Sequence, residues 1–104
     1  METISPEGAK KMIDQGLVDI IDVRSPDEFL SGHIKGAVNI DIYDPSFGTN
    51  ILKLNAKKQY IVNCQSGGRS SSACAFMHRN GFKKVMNLEG GILAWKREGL
   101  PIEK

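Results

Sequence analysis

The chain has 104 residues, 40% of them hydrophobic and 25% charged, which suits one folded domain over 1–104 and leaves no length for a second. With 14 Lys+Arg against 12 Asp+Glu the net charge is only +2. The basic doublets Lys10-Lys11, Lys57-Lys58 and Lys83-Lys84 are scattered, which argues against nucleic-acid binding.

No stretch is apolar for long enough to span a bilayer. The opening Met1-Glu2-Thr3-Ile4-Ser5-Pro6 lacks the basic-then-apolar pattern of a secretory leader. The expectation is a cytoplasmic monomer that engages neither membrane nor nucleic acid. The two cysteines, Cys64 and Cys74, form no C-x-x-C pair, so neither a disulfide framework nor a structural zinc site is expected.

Elements follow in chain order. Ser5 caps a helix with Pro6 at its first position, running to about Gln15 and ending at Gly16. Val18 to Val23 is a β-branched, mostly apolar run and reads as a buried strand. Ser25-Pro26-Asp27-Glu28 has the spacing of a capping box and predicts a short helix that ends near Gly32. Ala37 to Ile40 is the next strand. Pro45, Gly48 and Asn50 interrupt the stretch from Asp44 to Leu54, which predicts a short or irregular helix. Tyr60 to Asn63 is a second buried-type strand and ends on Cys64. Gly67-Gly68 make a turn, Arg69 to Asn80 is helical with Gly81 beyond it, Val85 to Leu88 is a strand, and Gly90-Gly91 opens a last helix through Trp95. Strands alternating with helices imply an α/β fold with a parallel sheet covered on both faces. In open sheets of this kind the site lies beyond the carboxyl ends of the strands, where Cys64 falls.

The informative segment is Cys64-Gln65-Ser66-Gly67-Gly68-Arg69-Ser70. A cysteine ends a buried strand, two glycines permit a tight turn with exposed amides, and a helix starts at once. Consecutive N–H groups and a helix N-terminus both favour thiolate over thiol. Arg69 adds a fixed charge able to pair with an oxyanion. An inert structural cysteine before an ordinary glycine turn is the alternative.

This segment resembles the cysteine loop of the rhodanese family, which has this length and ends in Arg-Ser. Two further segments carry the resemblance: Asp22-Val23-Arg24-Ser25-Pro26-Asp27-Glu28-Phe29 with Gly32-His33-Ile34-Lys35-Gly36-Ala37-Val38-Asn39-Ile40, and Asn87-Leu88-Glu89-Gly90-Gly91-Ile92-Leu93-Ala94-Trp95. The resemblance implies a rhodanese-like, five-stranded parallel sheet with helices on both faces. It implies a sulfurtransferase, without cofactor, in which Cys64 takes a sulfane sulfur from a small-molecule donor, thiosulfate or a persulfide. Cys64 would then pass it to cyanide, a thiol or a protein acceptor. Gln65, Ser66, Gly67, Gly68, Arg69 and Ser70 would bind the donor or the persulfide. One departure bears on the donor: many members that use thiosulfate carry a basic residue after the cysteine, and here it is Gln65.

Two other functions compete. Cysteine-dependent phosphatases share the logic of strand, cysteine loop, arginine and helix, but their loop is one residue longer than Gln65-Ser66-Gly67-Gly68. Non-catalytic docking modules on this fold usually lack the cysteine. Cys74 and Trp95 are expected to pack in the core, His33 to pack or cap a helix, and Asp22 and Arg24 to support the strand end.

Overall fold

The computed structural model describes residues 2–104. In chain order the elements are β1 (Glu2–Ile4), α1 (Pro6–Asp14), β2 (Asp19–Asp22), α2 (Pro26–Leu30), β3 (Val38–Asn39), α3 (Phe47–Leu52), β4 (Tyr60–Asn63), α4 (Gly68–Arg79), β5 (Val85–Leu88) and α5 (Gly91–Arg97). The strands form one sheet in the order β1-β5-β4-β2-β3, every pair parallel. Among the described residues no helix is long and apolar enough to cross a membrane.

Local chemistry accounts for the starts of α1, α2 and α4. Ser5 Oγ accepts from the Gly8 amide at 3.1 Å, and Pro6 stands at the first helical position of α1. At α2 the capping box is complete: the Glu28 amide donates to Ser25 Oγ at 3.3 Å and the Ser25 amide to Glu28 Oε1 at 3.1 Å. Helix α4 begins at Gly68, one residue before the expected start, because Gly67 takes φ +114° and serves as its N-cap. The assigned strand β3 covers only Val38–Asn39, although the Ile40 and Ile42 amides still bond the Asp22 and Val23 carbonyls at 2.9 and 3.1 Å. Strand β1 was not expected from its own residues. It exists through register with β5, Glu2 to Ile4 lying beside Met86 to Leu88.

Strand alternation splits the core into two layers. Tyr60, Val62 and Cys64 face a cluster with Phe47 and Ile51 of α3 and Ala73, Cys74 and Met77 of α4. Ile61 joins Ile20 and Leu88 in the opposite layer, against Ala9 of α1 and Trp95 of α5. Trp95 is fully buried and its Nε1 donates to the Pro101 carbonyl at 2.8 Å, so its ring fills the core with no polar atom stranded.

One buried ion pair braces the carboxyl end of β2. Arg24 Nη2 lies 2.8 Å from Asp22 Oδ2 and donates to the Gly32 carbonyl at 2.7 Å. It ties β2 to the chain just past α2. Removing either partner alone would strand a buried charge, at a cost of about 3–5 kcal/mol. His33 stacks on Phe29 with ring centroids 3.8 Å apart, its Nδ1 lies 2.9 Å from the Phe29 carbonyl, and its backbone pairs with Glu103. It packs and caps the end of α2.

Candidate active site

Strand β4 lies inside the sheet, between β5 and β2, and delivers Cys64 directly at its carboxyl end. The side chain continues the inward alternation of Tyr60 and Val62, so its residue is only 1% exposed. The chain must then reverse to start α4, and Gly67 makes that possible with a φ that L side chains rarely adopt. In this turn the Gly67 amide donates to Cys64 Sγ at 3.1 Å. Ser70 lies in the first turn of α4, wholly buried, with Oγ 3.3 Å from the same sulfur.

Burial pushes the Cys64 thiol up. The Ser70 hydroxyl and the amides of Ser70, Gly67 and Ser66 more than offset it and hold the thiol below its ordinary range. Cys74, one helical turn and more further along α4, has no such donors among the described residues. Burial pushes it up to about 12. Both thiols are free.

The remaining loop residues divide by exposure. Gln65, Ser66 and Gly68 are exposed and rim the loop, while the Ser66 amide still turns toward the Cys64 sulfur. Arg69 is half-buried and its guanidinium meets Glu28 of α2 in a fork: Nη1 donates to Oε1 at 2.7 Å and Nη2 to Oε2 at 2.8 Å. That guanidinium holds the Glu28 carboxyl down at about 2 and is itself raised. The one side-chain cation of the Cys64–Ser70 segment therefore faces a carboxylate. Positive potential at Sγ comes chiefly from backbone amides and a hydroxyl.

Three residues outside the expected set complete the arrangement. Glu28, whose spacing from Ser25 marks it as a capping residue, is one of them. Asn87 of β5 accepts from Ser70 Oγ at 2.5 Å through Oδ1 and donates to the Gly67 carbonyl at 3.1 Å through Nδ2. Gly91 opens α5 so close to the loop that a Cβ there would lie 2.5 Å from the Gln65 carbonyl oxygen. This contact lets the Ile92 and Leu93 amides donate to the Cys64 and Gln65 carbonyls at 2.9 and 3.1 Å. The sequence held a signal for Gly91, since paired glycines at a strand-to-helix junction permit close backbone approach. For Asn87 the only signal is its place at the head of the segment Asn87 to Trp95 that carries the resemblance, since its partners lie 17 and 20 positions away.

Comparison with known proteins agrees with this geometry. Residues 5–98 match the family model of the rhodanese-like domain. A sulfurtransferase of Allochromatium vinosum is 33% identical over 90% of this chain and 86% of its own. The thiosulfate sulfurtransferase GlpE of Stutzerimonas stutzeri is 37% identical over 89% of this chain and 83% of its own. Among solved structures, a rhodanese-related protein of Thermoplasma volcanium superposes with a TM-score of 0.89 at 30% identity, covering 99% of this chain and 98% of the other. A Rhodopseudomonas palustris protein described as a possible tyrosine phosphatase superposes with a TM-score of 0.83 at 30% identity, covering 99% and 85%. This chain belongs to the rhodanese-like domain family.

Proposed function

We propose that the protein is a sulfurtransferase in which Cys64 carries the transferred sulfur as a persulfide. The thiolate attacks the outer sulfur of the donor. With thiosulfate the new bond joins Sγ to that sulfur, the donor S–S bond breaks, and its electron pair leaves with sulfite. A thiolate or cyanide then attacks the outer sulfur, takes it as a persulfide or thiocyanate, and returns Cys64 as thiolate. This is two-step covalent catalysis with ping-pong kinetics. The amides along Gln65 to Ser70 hold the negative outer sulfur, as oxyanion sites hold charge in acyl transfer. The reaction suits a cytoplasmic setting, where thiol acceptors stay reduced.

The observation that carries this reading is the convergence of the Gly67 amide and the Ser70 hydroxyl on a buried sulfur. A phosphatase would need the loop to enclose a phosphate, and only four residues separate Cys64 from Arg69. The resting pairing of Arg69 with Glu28 and the neutral Gln65 favour a donor with less charge than thiosulfate, such as a persulfide on a small or protein thiol.

Mass spectrometry tests the proposal. Protein exposed to thiosulfate or to a glutathione persulfide should gain one sulfur on Cys64 and lose it to cyanide. Cys64→Ser should gain none. Phosphate-ester turnover without sulfur uptake would point to the phosphatase reading, and neither activity would point to a docking module.

A further inference from the structure

Ser70 Oγ stands between two acceptors, Asn87 Oδ1 at 2.5 Å and Cys64 Sγ at 3.3 Å, and a serine hydroxyl has one proton to give. The orientation of Asn87 is not free. Its Nδ2 donates to the Gly67 carbonyl at 3.1 Å, and turning the amide over would set two oxygens face to face. Oδ1 therefore points at Ser70 and can only accept. Both Ser70 and Asn87 are buried, so water does not readily replace a lost partner.

We infer that Asn87 is a positioning residue that sets the basicity of the Cys64 thiolate by competing with it for the single proton of the Ser70 hydroxyl. The inference rests on the reading of Cys64 as the nucleophile. With Cys64 protonated the chain is satisfied: S–H donates to Ser70 Oγ, and Oγ–H donates to Asn87 Oδ1. When the thiol loses its proton to a base in solution, the sulfur becomes an acceptor. The Gly67 amide serves it. Ser70 serves it only by rotating away from Asn87, which leaves a buried carbonyl oxygen without its donor. That loss makes the thiolate more basic than the loop donors alone would. A more basic thiolate is the stronger nucleophile per ionised molecule. Once a persulfide forms, the negative charge sits on the outer sulfur and the hydroxyl is free to return to Asn87.

Arg69 on α4 is a charged group that interacts with Cys64, whereas Cys74, pushed up to about 12 by burial, stays neutral beside it. Glu28 of α2 and Tyr43, from the segment after β3, face Arg69. The Ser70–Asn87 contact contains no ionisable group, so its effect is separable from theirs.

The test is the pH profile of Cys64 alkylation by iodoacetamide, read by mass spectrometry, together with the ultraviolet absorbance of the thiolate. Asn87→Ala should lower the midpoint, by about half a unit to one unit for one recovered hydrogen bond. Ser70→Ala should raise it. Adding Asn87→Ala to Ser70→Ala should produce no further downward shift. If Asn87 merely aimed the loop through the Gly67 carbonyl, its loss would raise the midpoint, or act equally with and without Ser70; either result overturns the inference. Asn87→Leu, close to isosteric and without an acceptor, repeats the test if alanine does not fold. The profile needs no sulfur donor. If the variants show these shifts while the native protein takes up no sulfur, the proposed function fails and the control of Cys64 basicity by Asn87 stands.

Discussion

Arg69 and Glu28 meet end to end, two parallel N–H···O bonds of 2.7 and 2.8 Å that join the loop-to-α4 junction to the capping box of α2 across 41 positions of chain. The same carboxylate satisfies the Ser25 amide through Oε1, so one residue stiffens a helix start and holds the arginine beside the cysteine loop. A guanidinium bound in this fork is fixed in direction and largely offset in charge.

The first prediction concerns that carboxylate. Glu28 is held down at about 2 against an ordinary 4.5, so its stabilisation is full above 4.5 and disappears as pH falls through about 2. Glu28→Gln keeps a capping side chain and removes only the charge. At neutral pH it should lower stability by about 1 kcal/mol, the upper end for a partly exposed pair. The gap between variant and native melting temperatures should narrow across this acid window and close below it. Calorimetry over a pH series reads it directly, and a gap independent of pH would show that the fork contributes through shape alone.

The two thiols should differ sharply in reactivity. Cys64 is lowered by its hydroxyl and amide partners, whereas Cys74 is pushed up to about 12 by burial. Iodoacetamide should label Cys64 with a midpoint below the free-thiol value of about 8.5, and Cys74 only after denaturation. Peptide mapping after timed labelling checks both. Cys74→Ser should retain sulfur uptake while melting earlier, because a hydroxyl replaces a sulfur in the core.

Donor choice should respond to charge at position 65. Gln65 is exposed, and the resting Arg69 is engaged by Glu28. Gln65→Arg should raise kcat/KM for thiosulfate about tenfold if the added charge contributes about 1.4 kcal/mol to the transition state. Added salt should shrink the gain, and a neutral donor should gain far less. Equal improvement with both donors would remove charge as the cause.

Gly91→Ala should disturb the site from outside the loop. Its Cβ would fall 2.5 Å from the Gln65 oxygen and 2.7 Å from the Cys64 oxygen, on a residue with φ +61°. Overpacking and backbone strain together predict a loss of about 2–4 kcal/mol. Denaturant unfolding measures the loss. A simultaneous upward shift of the Cys64 alkylation midpoint would show that the amides had moved off the sulfur.

Much of this protein is legible in its residues one segment at a time. Ser5-Pro6 and the box from Ser25 to Glu28 announce two helices, because the capping side chains sit within three residues of the amides they serve. The β-branched runs ending at Val23 and Asn63 announce buried strands, and Cys64 with its glycines announces a turn that gathers amides. Short-range chemistry determines these features, so short-range reading finds them. Strand β1 is different: a three-residue edge strand becomes one only where β5 offers it a ladder. Likewise, nothing near Arg69 in the sequence says that a carboxylate from α2 will occupy its fork, nor that Asn87 will reach both Gly67 and Ser70. Those contacts depend on the parallel order of the sheet, which sets the end of β5 and the start of α2 around the end of β4. Hydrogen bonds between groups so far apart in the chain have no local period or spacing to betray them, and only the folded arrangement decides which donor meets which acceptor.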